Sequence, residues 1–255
     1  MGIVMVRIIM HGCNGKMGQV ISGMIAEDPE LELVAGIDPR DDGHNPYPVF
    51  SDIALCDVEA DCLIDFSTAA VVDRMVDYCV EHKLPCVLCT TGLSEEQLGK
   101  VQEASKSVAV LRSANMSLGI NVLLELVKKA ASILGDSYDI EIVERHHRRK
   151  VDAPSGTALM SADAAAGSRG HETEYVFERH SVRRPRDKKE IGISAVRGGT
   201  IVGEHEIIFA GHDEIMEIKH TALSREIFAQ GAVEAAKFIA GVTTPGLYDM
   251  SYLVK

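Results

Sequence analysis

Two adjacent histidines stand among cations in the stretch RHHRRKVDAPSGTA, residues 145–158. Histidine is the side chain best placed to trade protons near neutral pH, and His146 and His147 are followed at once by Arg148, Arg149 and Lys150. Pro154, Ser155, Gly156 and Thr157 then lead into an alanine-rich run. That order reads as a helix start, whose unpaired N–H groups and hydroxyls can grip a carboxylate. The segment as a whole reads as a receptor for a small dianion with a proton source beside it. A solvated basic run is the plainer alternative, but two consecutive histidines closing a strand are hard to fit to it. A metal site is not expected: neighbouring strand positions point to opposite faces, and no paired carboxylate is evident.

A second chemistry is written near the other end of the chain. HGCNGKMG, residues 11–18, places glycines at 12, 15 and 18 between a strand pattern and a helix pattern. Gly12 permits a tight turn, Gly15 lets the backbone approach a pyrophosphate, and the helix N-terminus offers unpaired N–H groups with a partial positive charge. Asp38 ends the next strand pattern, where a carboxylate can accept hydrogen bonds from an adenosine ribose. Arg40 is placed either to meet the 2′-phosphate of NADP or to lie free on the surface, so the preference between NADH and NADPH stays open. Three later clusters, DFST at 65–68, CTTG at 89–92 and SANMS at 113–117, end further strand patterns. In an open α/β sheet that is the side on which ligands bind, although small polar residues also serve ordinary turns.

Elements must hold these residues. Strand patterns at 7–10, 31–37, 62–66, 86–90 and 108–112 alternate with helix patterns at 16–26, 69–83 and 94–104, the rhythm of an α/β fold with a doubly wound parallel sheet. PRDDGHNPYPVFSD, residues 39–52, reads as a surface loop. After about residue 117 the composition shifts, with helix patterns at 121–134 and 155–166 and strand patterns at 139–143, 191–196, 205–210 and 214–220. Grouped strands of this kind suggest a second, α+β domain on a mixed sheet with one more polar face. The closing helix pattern, 224–240, is placed to return to the first domain. The basic run RHSVRRPRDKKE, residues 179–190, reads as a mobile, solvated loop, with a lid as the other option.

Charge excludes some partners. The 255 residues carry a net charge of −12, which argues against nucleic acid or an anionic membrane surface. No apolar stretch approaches the roughly 20 residues of a membrane span, and the N-terminal run enters a strand pattern without cleavage-site chemistry. The expectation is a cytoplasmic protein. The six cysteines read as reduced, and Cys86 and Cys89 lack the second Cys or His pair that a zinc site needs.

Taken with these motifs, the chain resembles the 4-hydroxy-tetrahydrodipicolinate reductase family, long called dihydrodipicolinate reductase. The resemblance runs almost end to end, through the glycine turn, TTG at 90–92, NMSLGINV at 115–122, HHRRKVDAPSGTA at 146–158 and RGGTIVGEH at 197–205. It implies a Rossmann-like cofactor domain, 1–117 plus 226–255, and a substrate-binding and oligomerisation domain on a mixed open sheet, 118–225. It also implies a homotetramer, NADH or NADPH as cofactor, and reduction of a cyclic imine-containing dicarboxylate with loss of water, in the diaminopimelate route to lysine. By position, Gly12, Cys13, Asn14, Gly15, Lys16, Met17, Asp38, Cys89, Thr90, Thr91, Ser113, Ala114, Asn115 and Met116 line the cofactor, with Arg40 a further candidate. His147, Ser155, Gly156 and Thr157 bind substrate, and His146 and Lys150 hold the proton-donor positions. Two positions depart from the family's pattern: Cys89 stands where glycine is common, and residues 182–189 lack a glycine. The residues alone leave two alternatives, another two-domain NAD(P) oxidoreductase acting on an amino or keto acid and a non-catalytic nucleotide-sensing protein.

Overall fold

The structure is a computed structural model and describes residues 5–254. Its elements begin with β1 (Val6–His11), α1 (Lys16–Glu27), β2 (Leu31–Ile37), β3 (Val49–Phe50), β4 (Cys62–Asp65), α2 (Ala69–His82), β5 (Cys86–Leu88), α3 (Glu95–Ala104), β6 (Ala109–Leu111) and α4 (Leu118–Leu134). They continue with β7 (Asp139–His146), α5 (Gly156–Ala166), β8 (Glu174–Val176), β9 (Glu190–Arg197), β10 (Gly203–Ala210), β11 (Ile215–Ala222), α6 (Glu226–Ala240) and β12 (Gly246–Tyr248). The chain divides into two compact units, residues 5–118 with 226–253, and residues 119–225 with 254.

In the first unit every strand pairing is parallel, in the order β12-β6-β5-β4-β1-β2-β3. Side chains alternate across a strand, and β1 shows the result. Ile8 and Met10 join a core with Ile21 of α1 and Ala232 and Ala236 of α6, whereas Ile9 joins another with Val72 and Met75 of α2 and Val101 of α3. Helices therefore cover both faces, and each fully buried large aliphatic side chain contributes about 1.5–3 kcal/mol. Ser94 starts α3 with a capping box, its hydroxyl accepting from the Gln97 N–H while the Gln97 side chain accepts from the Ser94 N–H. The doubly wound sheet is present as the strand patterns require. The stretch 39–52 is less simply a loop, since Val49 and Phe50 form β3 beside β2. The short strands β3, β8 and β12 show too little period-two pattern to be read beforehand.

The second unit has a mixed sheet, ordered β11-β10-β7-β9-β8. β10 runs antiparallel to β7 and β11, and β9 runs parallel to β7 and β8. One face packs under α4 and α5, where Ile140, Ile142, Ile193, Ile207 and Phe209 meet Leu123, Val127 and Ala162. β7 extends beyond residue 143 to His146 because its alternation continues: Ile140, Ile142, Glu144 and His146 are all buried. The basic run at 179–190 is exposed along most of its length, as a solvated loop would be, but three of its arginines are paired. Arg179 and Arg184 pair with Glu190, itself 1% exposed, and Arg186 pairs with Asp139 and Glu141 while donating to the Ile140 and Glu190 carbonyls. Strand carboxylates hold those cations down. Among the described residues no helix is long and apolar enough to cross a membrane.

Candidate active site

The glycine turn between β1 and α1 is shaped by close backbone contacts. Gly12 has φ +84°, and a Cβ there would lie 2.7 Å from the Phe66 carbonyl oxygen. A Cβ on Gly18 would lie 2.1 Å from the Gly12 carbonyl oxygen, so both positions exclude a side chain. Gly15 is the N-cap of α1 and supplies no side-chain cap. The first-turn N–H groups are thereby left for a ligand rather than for the protein's own hydroxyl. Beside the turn lies a cleft of about 330 Å³ lined by His11, Gly12, Gly15, Asp38, Ser67 and Arg74, among others. Asp38 is held at its rim by the N–H groups of Asn14 (3.2 Å) and Arg40 (3.1 Å). Bare backbone for a pyrophosphate and a carboxylate for a ribose, lining one cleft, are what a dinucleotide requires, and these residues fit one. His11 and Asp65 form a buried pair at the cleft, Nδ1 to Oδ1 2.9 Å.

The second unit builds its site at one end of the sheet. β7 and β9 are parallel and β10 is antiparallel to β7, so the ends of β7 and β9 meet the start of β10. Register then places Glu144 beside His205, and His146 beside Arg197. His146 Nδ1 lies 2.6 Å from Glu144 Oε2. Both nitrogens of the Arg197 fork donate to Glu144 at 2.7 Å, and the Ser155 N–H donates to it at 3.0 Å. Burial by itself would raise the Glu144 carboxyl, but the hydrogen bonds from Arg197, His146 and Ser155 outweigh it and hold the group below its ordinary range. Glu144 is thus an anion in a dry place, surrounded by donors. His205 packs edge-on against His146, ring centroids 5.1 Å apart, and its Nε2 lies 2.8 Å from the Ser155 hydroxyl. Burial, then the neighbouring His146, lowers His205 to about 4. It is neutral at pH 7.

Ser155 caps α5, its hydroxyl accepting from the Ala158 N–H at 3.1 Å. Gly156, the next residue, is exposed, and a Cβ built on it meets nothing within 4 Å. Packing does not require that glycine, and the bare backbone leaves the helix start open to an anion. Lys150, partly buried, pairs with Asp152 at 2.9 Å. Arg148 and Arg149 are exposed and make no ion pair among the described residues.

Residues 6–116 match the family model for the N-terminus of dihydrodipicolinate reductase, and residues 119–254 match the one for its C-terminus. The chain belongs to the dihydrodipicolinate reductase family. It is 53% identical to the 4-hydroxy-tetrahydrodipicolinate reductase of Caldanaerobacter subterraneus subsp. tengcongensis, covering 99% of each chain, and 49% identical to that of Clostridium novyi, covering 98% and 99%. Among solved structures it is similar to the dipicolinate-bound dihydrodipicolinate reductase from Paenisporosarcina sp. TG-14, with a TM-score of 0.79 and 25% identity over 96% of this chain and 97% of that one. As a member of this family it is an NAD(P)H-dependent oxidoreductase of the diaminopimelate route to lysine, with NADH or NADPH as cofactor.

Against that family frame, the candidate residues fall into two groups. In the first unit, Gly12, Asn14, Gly15, Lys16, Met17, Asp38 and Arg40 gather around the turn. Cys13 is fully buried, its sulfur 2.6 Å from where a Gly36 Cβ would stand, so its side chain faces the core and its thiol is pushed up to about 11, first by burial and then by Asp38. Thr90 is buried with its hydroxyl unpartnered among the described residues, Thr91 is exposed, and Met116 is buried in the core shared with α6. Cys89 is partly buried, its thiol raised first by burial and then by Asp65. Ser113, Ala114 and Asn115 follow β6, with the Ser113 hydroxyl donating to the Asn115 carbonyl at 3.1 Å.

In the second unit, His146, His147, Lys150, Ser155, Gly156 and Thr157 come together around the end of β7 and the start of α5. The sequence singles out no carboxylate partner for the histidines, but Glu144 pairs with His146 from two residues upstream on the same face of β7. Arg197, Gly203, His205 and His11 lie in stretches that the sequence marks out, but it assigns none of them a role of its own. A signal for Glu144 was present, because it occupies the alternate position that Ile140 and Ile142 occupy as core. A charged residue in an inward row needs a partner, and the partner comes from a strand 53 residues later.

Proposed function

We propose that this chain reduces 4-hydroxy-tetrahydrodipicolinate to tetrahydrodipicolinate with loss of water, the first unit binding NADH or NADPH and the second binding the substrate. The observation that carries this reading is Glu144, which accepts from both His146 and the Ser155 N–H. One buried carboxylate thereby ties a proton-bearing ring to the anion-receiving start of α5. A related reductase has been solved with dipicolinate, a planar dicarboxylate, which supports that class of ligand.

Bound NADH or NADPH supplies a hydride to a substrate carbon conjugated with the imine. The electron pair displaced from that bond must be met by a proton on the adjacent carbon, and in this reading His146 gives it. The N-terminus of α5 at Gly156 and Thr157, together with His147, holds one carboxylate. Lys150 exchanges Asp152 for the substrate, where its charge also favours an electron-poor ring. Gly12 to Met17 receive the pyrophosphate, and Asp38 receives the adenosine ribose. A cytoplasmic homotetramer completes the reading, its assembly supported by the edge strand β11, whose Ile215 and Met216 are exposed.

The test is the initial rate of NADH and NADPH oxidation with freshly generated 4-hydroxy-tetrahydrodipicolinate. Turnover is expected with one or both. A folded protein that binds cofactor and reduces no dicarboxylate would overturn the reading. Lys150→Ala is expected to raise KM and lower kcat, and an unchanged KM removes Lys150 from the substrate carboxylate.

A further inference from the structure

We propose that Glu144 is the positioning residue for His146, clamped by Arg197 and served by a bare backbone at Gly203, so that Nε2 is the ring atom that delivers the proton. The proposal rests on the reading of His146 as proton donor. An ionised carboxylate only accepts hydrogen bonds, so the 2.6 Å contact to Glu144 assigns a proton to His146 Nδ1. The transferable proton is then the one on Nε2. Glu144 cannot swing away, because Arg197 grips both its oxygens and the Ser155 N–H takes one of them again.

Gly203 supplies an independent observation. A Cβ there would lie 3.1 Å from His146 Nε2 and 3.4 Å from Cδ2, which is tight enough to crowd the edge of the ring that must meet substrate. His205, edge-on at 5.1 Å, bounds the ring on another side. The ring is therefore gripped at Nδ1, flanked by a neutral imidazole, and met at its Nε2 edge by a residue without a side chain. Stability is a poor account of this set, since burying an ion pair returns little net free energy compared with apolar packing.

The experiment compares wild type, Glu144→Gln, Glu144→Asp and Gly203→Ala as full chains. It measures kcat, substrate KM and cofactor Kd, with ¹⁵N-histidine spectra of the ring tautomer at a pH where the ring is neutral. Glu144→Gln is expected to lower kcat about 10²-fold, the scale of a general acid's contribution, with KM and Kd within about threefold. Glu144→Asp is expected to recover part of that loss. Wild-type His146 is expected to carry its neutral-form proton on Nδ1, and Glu144→Gln to lose that preference. Gly203→Ala keeps the ion pair and the tautomer yet is expected to lower kcat about tenfold, so it decides the matter if Glu144→Gln does not fold. Wild-type kcat in folded Gly203→Ala and Glu144→Gln, or an Nε2-protonated tautomer in the wild type, overturns the proposal while the reaction stands. No turnover by the wild type overturns the reaction and the proposal together.

Discussion

Gly12 and Glu144 stand for two ways of building a site. Around Gly12 the groups offered to a ligand are backbone, released by residues that have no side chain and by a helix start without a side-chain cap. Around Glu144 they are side-chain ions and rings that hold one another, drawn from β7, β9, β10 and α5. The first kind is local and tolerates change outside the turn. The second depends on strand register, and loss of one member leaves another buried without its partner, which costs about 3–5 kcal/mol for an ion pair.

The largest effect that sharpens this contrast is on rate. His146→Gln is expected to lower kcat by about 10²-fold or more, with cofactor Kd unchanged, measured by steady-state kinetics beside fluorescence titration of NADH. An equal loss of cofactor binding would show that the two sites are not separable in this way.

Acid comes next. His205 is held neutral, with its pKa lowered from 6.5 to about 4, so its unfolded form takes up a proton at higher pH than its folded form. Its contribution is fully present above pH 6.5 and is lost as pH falls from there to about 4. The loss amounts to about 3 kcal/mol. Urea denaturation between pH 7.5 and 4 checks it, and His205→Asn should flatten the curve in that window.

Gly12→Ala should then act on the other site. A methyl 2.7 Å from the Phe66 carbonyl at φ +84° costs about 1–3 kcal/mol of strain, read as weaker cofactor binding or a lower melting temperature. The His146 ring tautomer should not move. The smallest effect is at the ribose: Arg40→Ala should weaken NADPH by about 1 kcal/mol and leave NADH unchanged, because Arg40 is exposed and Asp38 is oriented by backbone N–H groups rather than by the arginine. Equal effects on both cofactors would remove Arg40 from the 2′-position.

Legibility in the sequence follows the same division. The glycine spacing, the strand-helix rhythm and the Ser155 helix start could be read directly, since each is set by neighbours within a few residues. The extension of β7 to His146 could have been read as well, had Glu144 been weighed as an inward position rather than as one more surface charge. The basic run at 179–190 is legible as an exposed stretch, whereas its ion pairs are not. Arg179 and Arg186 have no visible partners until the parallel pairing of β9 with β7 brings Glu141 and Asp139 beside them.

By itself the sequence determined the alternation of strands and helices, the backbone cradle at 12–18, and the presence of protons and positive charge at 145–157. Turn, cap and periodicity are short-range physics, and short-range physics is written residue by residue. Only the tertiary structure decided that Glu144 is the partner of His146, that Arg197 fixes Glu144, and that Gly203 lies under Nε2. Those three facts depend on the register of β7 between β9 and β10, which long-range pairing and core packing set together.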